Sequence, residues 1–226
     1  MAVGVLVIAL PANAQTWVDW TAVAPGLPGS AKGNLPLGSG NVGVTYNGEV
    51  RGGSSKTTGS SVGSYFDPVA FPVAYTSATA PIGPTNNGWI QLIGPWQGNV
   101  LTFDTPVNRV FFAIMSLGQS GVPVSYAFDQ AFTILSQGPA AFGGCTTCLM
   151  QPFANIVQGI EGDGVLMFEN AAGISSLSFS IIGEENFHGF TIGVDAVTTT
   201  PEPASMALMA TGLLGVIGVA RRRRTG

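Results

Sequence analysis

Apolar and polar side chains alternate in short runs through most of the chain, and turn-forming residues separate the runs. That is the period-2 signature of strands with one buried face. Val42, Val44 and Tyr46 alternate and are followed by Asn47-Gly48, a pair that tolerates positive φ. This predicts a hairpin, with Glu49-Val50 opening the return strand. The Gly/Ser/Thr-rich residues 52–64 predict an exposed loop. Residues 89–93, 99–103 and 110–115 read as three short strands parted by Gly94-Pro95 and Thr105-Pro106. Val124, Tyr126 and Phe128 face one way, and Phe132 and Ile134 resume that face after Asp129-Gln130. Residues 165–168 and 176–182 predict a hairpin across 169–173, with Leu177, Phe179 and Ile181 inward between Ser178 and Ser180. Residues 187–194 close the series. About ten short strands at such spacing predict an all-β fold, a single jelly-roll-like β-sandwich over residues 15–197. Phe111, Phe112, Phe128, Phe132, Phe168, Phe179 and Phe190 are its expected aromatic core. Phe111 and Phe112, being adjacent, must face opposite sides of one strand. No helical period occurs before residue 201.

The two ends break this pattern. Residues 3–10 form an apolar block, and Ala12-Asn13-Ala14 offers small residues at cleavage spacing. Residues 1–14 are therefore expected to be a signal peptide with mature start at Gln15. No Lys or Arg precedes the block, which points to a start codon placed too far downstream. At the other end, residues 198–203 form a linker ending in Pro201, Glu202 and Pro203. An uncharged run follows at 204–220, then Arg221, Arg222, Arg223 and Arg224 within a basic tail, 221–226. Seventeen uncharged residues reach the low end of what spans a ~30 Å hydrocarbon core at ~1.5 Å per residue, which predicts one C-terminal transmembrane helix. The arginines would hold their end in the cytoplasm. A plain tail anchor needs no Pro-Glu-Pro. The tripartite order closely resembles the PEP-CTERM sorting signal of Gram-negative envelope proteins. That resemblance implies an exosortase-type membrane protease as partner, an inner-membrane intermediate, and delivery to the outer envelope or an extracellular, exopolysaccharide-containing matrix. Residues 104–118 and 185–194 also resemble uncharacterised sandwich domains that carry this signal, and that likeness implies no activity.

Charge narrows the partners. Residues 15–200 hold four basic and eleven acidic side chains, a net charge of −7 against −4 for the whole chain. No basic residue lies between Arg109 and Arg221. A nucleic-acid or anionic-membrane surface is excluded on that count.

Candidate chemistry is sparse. Cys145 and Cys148, the only cysteines, have the spacing of a thioredoxin-type motif, but their flanks read as a loop and not as a helix N-terminus. In an exported chain they predict a local disulfide. Two cysteines without a nearby histidine cannot complete a zinc site. His188, the only histidine, shares a strand face with Phe190 and Ile192, so it reads as a buried core residue ahead of a general base. Glu161-Gly-Asp163-Gly and Glu184-Glu185 read first as solvated turns. The alternatives are a glycosidase carboxylate pair or a structural Ca²⁺ held by Glu184, Glu185 and Asp195. Trp89 and Trp96 are core or loop anchors, or else stacking platforms for a glycan. The leading expectation is a non-enzymatic structural or adhesive protein needing no cofactor. A carbohydrate-binding module, Ca²⁺-dependent or not, is the alternative, and a glycoside hydrolase comes third.

Overall fold

The computed structural model describes residues 15–196 apart from positions 39, 54, 61–64 and 85–87. The leader, Pro201-Glu202-Pro203, the apolar run and the four arginines lie outside the described residues. Among the described residues no helix is long and apolar enough to cross a membrane.

The body is all-β, as the alternation predicts. Its strands are β1 (Gln15–Trp17), β2 (Asp19–Ala24), β3 (Gly26–Leu37), β4 (Gly40–Val50), β5 (Ile90–Leu92), β6 (Trp96–Leu117), β7 (Val124–Phe128), β8 (Thr133–Gln137), β9 (Leu149–Phe153), β10 (Ile156–Gly159), β11 (Gly162–Ile182) and β12 (His188–Asp195). The helix described is a single turn, α1 (Pro72–Tyr75). One hydrogen-bonded sheet joins the strands in the order β2-β3-β4-β6-β11-β7-β10-β9, and β12 adds to β6, β1 and β5 while β8 adds to β11.

Two strands are far longer than the sequence suggests. Residues 99–103 and 110–115 belong to one strand, β6, which runs straight through Thr105-Pro106. Residues 165–168 and 176–182 likewise belong to β11, so 169–173 is no hairpin turn. The breakers are matched irregularities. The β6–β11 register jumps between Glu169 and Ile174, opposite Arg109 and Val107, and again between Ile174 and Ser176. Pro106, which has no N–H to give, falls in this broken stretch of ladder. Each long strand serves two neighbourhoods. The early half of β6 pairs with β4 and its late half with β12. The early half of β11 pairs with β8 and its late half with β7.

Rings from these separate neighbourhoods meet edge to face. Tyr46 on β4 lies 5.1 Å from Phe190 on β12, Phe112 lies 5.5 Å from Phe179, and Phe128 lies 4.8 Å from Phe168. All seven predicted phenylalanines are buried. Phe112 joins this main cluster. Phe111, on the opposite face, packs in a second cluster with Trp17, Phe66, Tyr75 and Trp89. That second layer explains why every residue from Val110 to Leu117 is buried without alternation.

Two local expectations fail. Asn47-Gly48 sits inside β4, and the chain reverses earlier, where Leu37 pairs with Gly40. Gly48 is there for space: a Cβ would come within 2.5 Å of Asn99 Oδ1 and 2.7 Å of the Tyr46 hydroxyl. Asn99 Oδ1, buried, accepts that hydroxyl at 2.7 Å and the Glu49 N–H at 3.0 Å. The described part of residues 52–64 is docked instead of free. Lys56 bridges Trp89, and Thr58 N–H donates to the Trp20 carbonyl.

Candidate functional site

Four segments meet at the end of β12 where that strand begins: the close of β6, the entry to β11, residues 184–187, and the loop at 140–144. Backbone geometry builds the junction. Ser116 and Glu161 both adopt φ of 52°, and Gly118, Gly143, Gly144 and Gly183 are also left-handed. A Cβ at Gly118 would strike the Gly159 carbonyl. Each left-handed non-glycine residue costs about 1–3 kcal/mol. Hydrogen bonds hold them there. Ser116 N–H donates to Asp163 Oδ1 at 2.9 Å, and Ser116 Oγ donates to Glu161 Oε2 at 3.0 Å. Gly118 N–H donates to Glu185 Oε1 at 2.6 Å. Glu161 N–H donates to the Gly118 carbonyl at 3.0 Å.

The result is a recess of about 200 Å³ lined by Ser116, Gln119, Phe142, Glu161, Glu185, Asn186 and Phe187. One wall is aromatic. Phe142, 44% exposed, lies 5.0 Å from Phe187, and Tyr65 backs both rings while resting on Trp89 at 4.9 Å. The other wall carries Glu161 and Glu185. Two amides stand at the rim, where Asn186 Nδ2 donates to Gln119 Oε1 at 3.3 Å.

Asp163 lies below Ser116 and Glu161 and is 1% exposed. The Tyr75 hydroxyl donates to its Oδ1 at 3.1 Å, while Oδ2 is buried without a partner among the described residues. Gly144 permits the neighbouring loop to pass, since a Cβ there would reach 3.0 Å from Oδ2 and collide with the Glu161 carbonyl. Burial pushes the Asp163 carboxyl up to about 7; the Ser116 N–H and Tyr75 hydroxyl pull the other way, and the Glu161 charge adds to the rise.

The remaining sequence candidates fall as follows. His188 is fully buried against Tyr126 of the main core, on the strand of Phe190 and Ile192; its Nδ1 lies 2.8 Å from Glu185 Oε1 without hydrogen-bond alignment, and Nε2 has no partner among the described residues. Cys145 and Cys148 form a disulfide in a loop, with Cα atoms 5.1 Å apart. Glu184, Glu185 and Asp195 do not converge on one ion. Glu184 is exposed and Glu185 sits in the recess, whereas Asp195 ends β12 beside Arg109 at 3.5 Å. Seven strand steps of about 3.3 Å separate the two ends of β12. Among the described residues no group of three His, Cys, Asp or Glu is placed to hold a metal. Neither tryptophan is a free platform. Trp89 is buried beneath Tyr65, and Trp96 is half-buried against the main core.

The sequence marked the acids Glu161, Asp163 and Glu185 but not what surrounds them. Ser116, Tyr75 and Phe187 carry no local signal. Phe142 is followed by Gly143-Gly144, the one cue that its backbone is special.

Comparison with known proteins adds the tail. Residues 199–224 match the family model of the PEP-CTERM protein-sorting motif. No curated protein and no solved structure matches the chain. It is thus an all-β protein bearing a sorting tail. The motif implies export through a membrane-anchored intermediate and processing by an exosortase, itself a membrane protein.

Proposed function

We propose that this chain is a non-enzymatic envelope or extracellular-matrix protein of a Gram-negative bacterium, with a β-sandwich body of jelly-roll type in a structural or adhesive role. The match at residues 199–224 carries the delivery half of this reading. Ring contacts between strands that share no ladder, such as Tyr46 with Phe190, support two packed layers.

Several features favour a role without catalysis. The N–H groups of Ser116 and Gly118 are both taken by carboxylates, so neither is free to stabilise an oxyanion. The lone histidine is sealed in the core, and both cysteines are consumed by their disulfide. A second reading, glycan binding, is favoured by the recess that sets an exposed Phe142 beside carboxylates and amides. Sorting is tested by intact mass of the protein recovered from the surface of a host with the matching exosortase. The expected species lacks residues 204–226. A surface protein that retains Arg221–Arg224 overturns the delivery half.

A further inference from the structure

We propose that the recess between Phe142 and Glu161 binds an ammonium group carried on a sugar ring, that is, an amino-sugar residue of a polysaccharide. This rests on the glycan-binding reading and adds the class of sugar.

The charge of the site selects the ligand. Glu161 and Glu185 line the recess, and among the described residues no basic side chain lines it. An anionic sugar would therefore enter against like charges. A metal ion is poorly served, because Phe142 and Phe187 occupy one wall and offer no oxygen. An organic cation uses both walls. Its N–H groups donate to carboxylates, and the positive charge faces aromatic rings within ~6 Å.

The remaining surfaces fit a sugar better than a bare amine. Phe142 is held at its angle by Phe187 and Tyr65, so its exposed ring is a fixed apolar plate for the C–H face of a pyranose. Gln119 and Asn186 provide amide donors and acceptors at the rim for hydroxyl groups. A volume of about 200 Å³ suits one ring and not a long groove. The left-handed Ser116 and Glu161 concentrate backbone strain at this spot, as binding sites commonly do.

The test uses the full-length chain in detergent micelles and isothermal titration at low ionic strength. The probes are a β-1,4-glucosamine hexamer, its fully N-acetylated form, putrescine, and a lysine-rich peptide. The glucosamine hexamer is expected to bind saturably, at least tenfold tighter than the acetylated form, and to weaken as salt is raised. Phe142→Ala and Glu161→Gln should each lower that affinity about tenfold while circular dichroism stays unchanged. Equal binding of both hexamers overturns the ammonium assignment but leaves glycan binding standing. Equal molar binding of putrescine or the peptide overturns the sugar. No binding by a folded protein overturns both the proposal and the glycan reading, while the sorting result stands apart. A Glu161→Gln variant with changed circular dichroism is replaced by Asn186→Ala, for which the same loss is expected, and undiminished binding overturns the site.

Discussion

Asp163 shows how a single side chain can impose a pH dependence on the whole fold. Its carboxyl is raised from 3.8 to about 7 by burial, so the folded protein holds its proton where the unfolded chain has lost it. Below pH 4 both states are protonated and the stability is fully present. As pH rises toward 7 the folded state increasingly opposes ionisation, and stability falls. Above pH 7 the loss is complete, at most about 4 kcal/mol at 1.36 kcal/mol per pK unit. An asparagine keeps an Oδ1 to accept from Ser116 and Tyr75 and puts an amide donor where the unpartnered Oδ2 stands. Asp163→Asn is therefore expected to melt higher than the parent at pH 8 and to flatten the slope between pH 4 and 7. Thermal melts across that range check it, and parallel curves for the two proteins would refute the assignment. The acids were legible as residues in the sequence. The burial of Asp163 was not, because it depends on Tyr75, 88 positions away in the chain.

At the level of elements, periodicity located β4 to β8, β11 and β12 but not their ends, and it gave no strand for β1 to β3, β9 or β10. Thr105-Pro106 and the stretch from Asn170 to Gly173 carry the residues that normally end strands, yet they lie across from each other where the β6–β11 register jumps, and both strands continue on either side. Gly173 has φ of +91°, and a Cβ there would come within 2.8 Å of the Pro106 Cβ. Such pairing of two irregularities cannot be read from either segment alone, because each looks locally like a turn. Asn47-Gly48 misleads for a related reason: the glycine answers to Asn99, more than 50 positions on, and not to a reversal of the chain. Gly173→Ala should destabilise the protein by about 2 kcal/mol through steric contact and backbone strain together. Urea denaturation checks this, with the slope unchanged if the sheet survives intact.

The whole molecule is organised by the two faces of its longest strands. One face of β6 sends Phe112 among Tyr126, Phe128, Phe179 and Phe190, at centroid distances of 4.7–6.1 Å. Truncating it leaves four rings around a void, and Phe112→Ala is expected to cost about 3–5 kcal/mol in chemical denaturation. A loss below 1 kcal/mol would show that the two neighbourhoods are not packed through this ring. The aromatic core was legible in the sequence because strand alternation announces one buried face. The second layer over Phe111 was not, since its cover comes from an irregular segment that includes Phe66 and Tyr75.

β12 links the two ends of the body. Its first residues adjoin the recess, and its last, Asp195, is paired with Gln15 one residue before the described chain ends. A body tethered by its C-terminal end therefore holds the recess at the far end of a strand roughly 25 Å long. Were a ligand caught there and dragged by flow, the load would run along the axis of β12. Its ladder to β6, from Gly189 to Val194, would then bear the pull in shear, with all its hydrogen bonds strained at once instead of unzipping one by one. The strand that places the recess is also the cable that would carry its tension.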